Sequence, residues 1–518
     1  MHIEPHSGAR AGRWIVLGAV CLAALIPPLG FTGGAIAMPA IGRELGGSPL
    51  ALNWIVNAYM LAFGSSLMAA GTLADQYGRK RIFGSGVALF VAASLCLGLV
   101  HGLVGLNVLR AVQGLGGALI LAGGTAALAQ EFHGADRPRA FAMLGTTFGI
   151  GLAFGPVLSG FLVETFGWRS TFFAGAAVGV MALAFGLPRM RESRDPDAMA
   201  LDVPGSVSFT AALALFTFGI MQAPEHGWLS LQVMGLLGSA VASMLVFVWV
   251  ERRVQRPMLD LSLFRYSRFV GVQVLPLATC YCYVVLLIML PIRFIGIEGH
   301  SELDAGLMLM TLSLPMLVVP ALAATLAHRI SAGVLSSAGL LFAAAGLWWM
   351  SRIAIAPGQS VWAWAMPMLV VGIGTGFPWG LMDGLSVSVV PHERAGMATG
   401  IFSTTRVAGE CIALALMGAV LVLLLQARLY AVLPGTDAGQ LSAVAQRLAT
   451  GNLSQASALL PQADRALLTM VYGDAFQQLI YLLGAITVLS AIVVLLFLRQ
   501  PQESVVATVV ETESEACV

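Results

Sequence analysis

The chain has 518 residues, of which 58% are hydrophobic and 10% charged, with a net charge of +1 and a mean hydropathy of +0.86. A soluble chain carries about 25% charged residues, so a large water-soluble helical core is excluded as the leading class. The balanced charge gives no footing to nucleic-acid binding. Charges gather in short clusters between apolar runs of membrane-crossing length, which predicts an all-α integral membrane protein.

Arg10 and Arg13 precede an apolar run over 14–39 that is too long for a signal-peptide core and lacks a small-residue cleavage site, so it is read as a retained first helix. Further spans are predicted over 50–73, 82–100, 105–130, 140–163, 171–188, 205–222, 231–250, 269–291, 304–327, 334–350, 362–390, 396–425 and 475–498, fourteen in all. An even number puts both termini on one side. The loops on that side hold Arg79, Lys80 and Arg81, then Arg189, Arg191 and Arg194, then Arg252, Arg253 and Arg256. The opposite loops hold fewer basic residues, among them Arg43, Arg169, Arg293 and Arg352. The excess of basic residues predicts cytoplasmic termini.

Two segments read as soluble. The stretch 426–474 is expected to be extracytoplasmic, with Leu and Ala at helical spacing that suit either an ordered covering for the bundle or a loose tether. The tail 499–518, with Glu511, Glu513 and Glu515, reads as a disordered acidic end. Cys21, Cys96, Cys280, Cys282, Cys411 and Cys517 have no zinc or disulfide spacing and read as small packing residues. Gly372-Ile373-Gly374-Thr375-Gly376 lies in a span and suits close helix packing rather than phosphate binding. The sequence contains no Gly-Lys-Ser/Thr loop, so ATP drive within the chain is not expected. With no catalytic nucleophile, metal site or cofactor loop legible, neither enzyme activity nor a cofactor is expected.

Three motifs carry the functional signal. Gly71-Thr72-Leu73-Ala74-Asp75-Gln76-Tyr77-Gly78-Arg79-Lys80-Arg81 lies between the second and third spans. Gly71 and Gly78 permit close approach and a sharp turn, while Asp75 is placed to cap a helix start and to accept hydrogen bonds from basic neighbours. On the fourth helix stands Leu106-x-x-x-Arg110-x-x-Gln113-Gly114, which puts an arginine inside a span. On the fifth stands Gly151-x-x-x-Gly155-Pro156-x-x-Ser159-Gly160, whose small residues allow backbones to approach and whose proline favours a bend.

The first motif resembles the signature loop of the major facilitator superfamily, the second its buried-arginine motif, and the third its exporter motif with Ser159 replacing a glycine. The resemblance implies two six-helix halves. These fall at 1–188 and 269–498, with two additional helices in the linker 189–268 and an extracytoplasmic loop at 426–474. Leu326-Ala327-His328-Arg329 resembles a faded second copy of the signature loop. The helix count, the Asp202-Val203-Pro204-Gly205 approach to the seventh span and the segment from Pro257 and Met258 to Phe264 are similar to the fourteen-helix drug:proton antiporter family. That resemblance implies a cell inner-membrane location in a bacterium.

One departure bears on the chemistry. The family pattern carries an aspartate where this chain has Gly30, in Leu29-Gly30-Phe31-Thr32 before Pro39. Arg110 then lacks an acidic partner on the first helix and must face water, protein dipoles or cargo. Pro27-Pro28 is expected to free carbonyls of that helix to serve it. Coupling must be sought elsewhere, and Asp383 and Glu410 are the two carboxylates well inside predicted spans. Glu410 lies one helical turn from Arg406, and counting from the turn at Pro391 puts Asp383 at a similar depth, so an Asp383, Arg406, Glu410 cluster is expected. Asp383 is the stronger proton carrier on sequence, because its helix corresponds to a cavity-lining one in the superfamily. Gln113, with Asn57 and Tyr59, offers neutral polar contacts or helix packing.

The reading is a proton-coupled exporter of amphipathic small molecules working by alternating access. A narrower metabolite or anion exporter contacting Arg110 is one alternative, and a non-transporting membrane sensor or scaffold is the other. The implied partners are a small-molecule cargo, protons and the lipid bilayer, with room for an accessory efflux protein.

Overall fold

The structure is a computed structural model and describes residues 7–132, 136–194, 202–254, 259, 261–353, 361–390 and 395–498. The tail 499–518, Cys517, the Pro391–Arg394 turn and Arg256, Pro257, Met258 and Asp260 lie outside the described residues.

Among the described residues, fourteen helices are long and apolar enough to cross a membrane. They are α1 (Arg13–Leu45), α2 (Pro49–Tyr77), α3 (Arg79–Leu97), α4 (Leu103–Glu131), α5 (Arg139–Phe166), α6 (Arg169–Arg189), α7 (Val203–His226), α8 (Leu231–Glu251), α9 (Ser267–Ile297), α10 (Glu302–Leu326), α11 (Ala332–Ser351), α12 (Trp362–Ser386), α13 (Met397–Val432) and α14 (Arg465–Leu498). Their starts follow local chemistry. The Ser48 hydroxyl accepts from Ala51 N–H ahead of Pro49, Asp202 accepts from Gly205 N–H at 2.8 Å ahead of Pro204, and Ser301 accepts from Asp304 N–H at 3.1 Å. Each such cap is worth about 0.5–2 kcal/mol, and a proline just inside satisfies a helix start at no hydrogen-bond cost.

Helices α1 to α6 pack largely among themselves, and so do α9 to α14. The two groups meet along α5 with α10, α2 with α13, and α1 with α9. Helix α7 lies against both α2 and α13, while α8 leans on α7 and leaves Leu245, Val241 and Trp249 exposed on its outer side. A helix in lipid needs no apolar partner there.

Several helices depart from the expected limits. Helix α2 continues through Gly71 to Tyr77, so most of the signature segment is helical and Gly78 alone makes the turn. Helix α9 does not end at residue 291. It runs on to Ile297 and carries two wide π-helical stretches, Cys280–Val284 and Ile292–Ile297. Arg293, expected in a loop, is 2% exposed inside α9. It donates to Glu298 at 2.6 Å and is sandwiched between the rings of Trp364 at 4.2 Å and Phe476 at 4.8 Å. Helix α10 is interrupted by a 3-10 turn at Leu314–Leu317, where Pro315 cannot donate to the ladder.

The segment after α13 is an ordered covering rather than a tether. Two helices, Ala438–Ala449 and Leu453–Leu459, form a crown over one end of the bundle. Leu441, Val444, Ala445 and Leu448 make the buried stripe of the first. Arg447 donates at 2.7 Å to the carbonyl of Gly47, in the α1–α2 turn, and Gly451 packs on Ile292 and Gly296 of α9. The crown thus touches both helical groups. The opposite end, which holds the α2–α3 turn, is the basic end.

Candidate functional site: three motifs and a column of charge

At the basic end, Asp75 sits in the last turn of α2 and accepts from Arg79 at 3.1 and 3.2 Å. The expectation that Asp75 caps a helix start is therefore corrected: its side chain is spent across the turn, and α3 has no capping side chain of its own. A carboxylate from elsewhere takes that place. Glu192, beyond α6, accepts from Lys80 N–H at 3.2 Å and pairs with Arg81 at 3.4 Å, while Arg79 N–H donates to the Ser193 carbonyl at 2.9 Å. An anion at the first turn of a helix is favoured by the exposed N–H groups and the dipole. Arg79 also bonds Gln130 of α4. Gly71 has open space beside it, and Gly78 adopts φ 111°, a region that side-chain-bearing residues avoid.

Arg110 on α4 is fully buried. Its Nε donates to the Ile55 carbonyl of α2 at 2.8 Å, its Nη1 bonds Gln113, and Gln113 passes the chain on to the Ser94 hydroxyl at 2.7 Å. The carbonyl that serves Arg110 comes from α2 and not from the Pro27-Pro28 break. Pro27 O instead accepts from the Tyr59 hydroxyl at 3.4 Å, and Pro28 O from Thr32 at 2.7 Å. The guanidinium stacks on Tyr59, 4.4 Å from the ring centroid. A β-carbon on Gly30 would lie 3.1 Å from the Tyr59 hydroxyl, so the phenol fills the place beside the missing acid. Nη2 of Arg110 has no hydrogen-bond partner among the described residues. Gly114 lets α4 close on α2, since a β-carbon there would meet the Tyr59 carbonyl.

The exporter-like motif on α5 faces two neighbours. Gly151 and Gly155 close on Pro28 and on Thr32 of α1, while Gly160 closes on the Glu302 carbonyl of α10. The Pro156 carbonyl meets Gly306 of α10, where an added β-carbon would lie 2.6 Å away. The same end is clasped by polar contacts. Arg43 of α1 pairs with Glu302, and Glu164 of α5 accepts from Leu303 N–H at 3.0 Å.

The expected acid cluster is met in part. Asp383 of α12 accepts from Arg406 of α13 at 3.4 Å, with the Asp383 side chain 64% exposed. Glu410 lies one turn further along α13 and is half-buried. No hydrogen bond or ion pair to it occurs among the described residues. Helix α2 crosses α13 at Gly64, where a β-carbon would sit 2.9 Å from Val407. Glu410 lies on the crown side of that crossing. Asn57 lines a cavity beneath the crown, and its amide donates to the Asn53 carbonyl at 3.0 Å.

Sequence reasoning missed Gln130 and Glu192. The one hint was an acid embedded in the basic run Arg189 to Arg194.

Residues 20–414 match the family model of the Major Facilitator Superfamily. The chain is 32% identical over 396 residues to the multidrug resistance protein Stp of Mycobacterium tuberculosis (strain CDC 1551 / Oshkosh), covering 76% of this chain and 73% of the relative. It is 30% identical over 418 residues to the tetracenomycin C resistance and export protein of Streptomyces glaucescens, covering 80% and 77%. Among solved structures, it shares the fold of a bacterial homologue of the human lysosomal transporter Spinster, crystallised inward-facing and unoccupied. The TM-score is 0.65 at 14% identity, covering 94% of this chain and 97% of that one. The three motifs, the fourteen membrane helices and these matches make the chain an integral membrane protein of the major facilitator superfamily of transporters.

Proposed function

We propose that the protein exports amphipathic small molecules in exchange for protons, by rocking α1 to α6 against α9 to α14 so that a midplane cavity faces the two sides in turn. The names of the relatives, a multidrug resistance protein and an antibiotic resistance and export protein, support the cargo class. In this reading the protein sits in a bacterial inner membrane with the basic end, and both termini, in the cytoplasm.

The observation that carries the coupling half of the reading is Glu410, a carboxylate within a membrane helix that makes no hydrogen bond or ion pair among the described residues and has Arg406 one turn away. Ionisable side chains at that depth are expensive and are retained where a charge must move. Glu410 binds the proton, and the Asp383–Arg406 pair on the far side of the Gly64–Val407 crossing responds to the change in charge one turn away. Sequence favours Asp383 as the carrier; its exposed carboxylate, engaged with Arg406, suits the responding role better.

The test is reconstitution in liposomes with an imposed pH gradient, screening cationic, neutral and anionic compounds. Glu410→Gln is expected to abolish gradient-driven movement while leaving gradient-free exchange of the same compound intact. Full gradient-driven transport in both Glu410→Gln and Asp383→Asn would sink proton coupling through this cluster, and no movement of any compound in the wild type would favour a sensor. One observation favours a narrower anion exporter, the Nη2 of Arg110 without a partner among the described residues. That reading requires anion movement that is lost in Arg110→Gln.

A further inference from the structure

A cavity of about 70 Å³ lies beneath the crown, walled by α1, α2, α7, α9, α13 and α14. Its volume admits a few water molecules and falls far short of the roughly 300–1,000 Å³ of a drug-sized site. Yet its wall is not simply apolar. Asn53, Asn57, Glu225, Gln446 and Tyr472 all line it. Asn57 is 6% exposed and Tyr472 is completely buried, and Oδ1 of the first and the hydroxyl of the second have no hydrogen-bond partner among the described residues. Neither of these two atoms is itself exposed to the cavity; the polar groups that reach it are those of the half-buried Asn53 and Gln446 and the accessible part of Asn57, and these suit ordered water.

The position of the void gives it a use. Leu414, Gly418 and Val422 of α13 contribute to its wall. Counting back by four, the next residue on that face of the helix is Glu410, about 6 Å below Leu414 at 1.5 Å per residue. The Gly64–Val407 contact between α2 and α13 lies just beyond Glu410 toward the basic end. Glu225, exposed at the end of α7, stands at the opposite, crown-side limit of the cavity.

We propose that this cavity is a hydrated proton-access site that serves Glu410 from the crown side, separate from the path taken by cargo. Glu225 gathers protons at the mouth, and water held by Asn53, Asn57 and Gln446 relays them to the turn above Glu410. The inference rests on the reading of Glu410 as the proton carrier. The other titratable or charged groups around Glu410 are Arg406 and Cys411 on its own helix, Cys280 of α9 within electrostatic range, and Asp383 of α12 beyond Arg406. Around the cavity they are Glu225 and Tyr472, the latter near Arg293 and Glu298.

Gly418 provides the test. It lines the cavity, and a β-carbon added there meets nothing within 4 Å, so a side chain has room to begin there and a larger one extends into the void. The full chain is placed in liposomes and sorted for outward crowns through a tag at the exposed Pro434–Gly435 turn. The external solution is acidified rapidly, and protonation of Glu410 is followed by the infrared carboxyl band that disappears in Glu410→Gln. Gly418→Leu is expected to slow the appearance of that band at least tenfold, Asn57→Leu to slow it as well, and Gly418→Ala to leave it near the wild-type rate. An unchanged rate in both Gly418→Leu and Asn57→Leu overturns the cavity's role while leaving Glu410 as carrier. If the wild type shows no band that depends on Glu410, the carrier reading falls and the access site with it.

Discussion

The ring of Tyr59 lies 4.4 Å beneath the guanidinium of Arg110. The same ring extends its hydroxyl into the space beside Gly30, where related exporters are expected to carry an acid. A buried cation is thereby held by an aromatic face, a backbone carbonyl and a glutamine in place of a counter-charge. Tyr59→Phe keeps the face and loses only a 3.4 Å hydroxyl bond to Pro27 O, so its cost is expected to stay near or below about 1 kcal/mol. Tyr59→Ala strips the face and opens a void, for about 3–5 kcal/mol. Thermal unfolding of the purified protein in detergent should separate the two variants clearly; equal losses would mean that the ring does not support Arg110.

Gly78 makes the α2–α3 turn at φ 111°, with the Glu192 carboxylate packed where a side chain would begin. Gly78→Ala is expected to cost about 1–3 kcal/mol from the backbone alone, plus the displacement of Glu192. The double variant Gly78→Ala, Glu192→Ala should recover only the second part. Full recovery, measured as the unfolding midpoint in the same detergent, would show that crowding and not backbone strain sets the cost.

Glu192 reaches α3 from beyond α6, so its removal should loosen a turn distant in sequence. In Glu192→Gln the carbonyl oxygen can still accept from Lys80 N–H, whereas the pairing with Arg81 is lost. Because Arg81 is well exposed, that pairing is worth at most about 1 kcal/mol. Hydrogen exchange at the first turn of α3 should therefore rise no more than about fivefold in Glu192→Gln and distinctly more in Glu192→Ala. Equal protection in the two variants would remove the capping role.

The crown-end clasp between Arg43 and Glu302 joins α1 to α10. With Arg43 62% exposed, the pair contributes at most about 1 kcal/mol, and Arg43→Glu replaces that attraction by a repulsion of similar size, so it should shift the balance toward an open crown end by no more than about thirtyfold. The charge swap Arg43→Glu, Glu302→Arg should restore it. Spin-label distances between the crown ends of α1 and α10 measure both, and a shift that survives the swap would argue against the ion pair.

Much of this was legible in the sequence because a membrane helix announces itself by composition alone: the apolar runs predicted fourteen spans, and fourteen stand among the described residues. What composition hides is tertiary compensation. Arg293 looked like a loop residue because its charge is on the page, whereas the Trp364 and Phe476 faces that accommodate it arrive from α12 and α14. The meeting of Asp383 with Arg406 followed from counting depth along antiparallel helices. That Glu410 makes no ion pair with Arg406 among the described residues did not, because i, i+4 spacing permits an ion pair without requiring one. Gly30 advertised a missing acid, but nothing local to it named Tyr59 as the side chain that fills the gap.

The two wide stretches of α9 carry a last consequence. A π turn holds about one residue more than an α turn, and one residue in an α-helix is about 100° of rotation. Past Val284 the positions of α9 that share one face are thus shifted by about one residue in sequence from those before. That 89% of its most apolar window is buried follows from its place among α1, α10, α11, α12, α13 and α14. Deleting one residue from Cys280–Val284 would restore a regular winding and leave Arg293 facing the Trp364 and Phe476 rings, because the residue removed is the extra one of the wide turn.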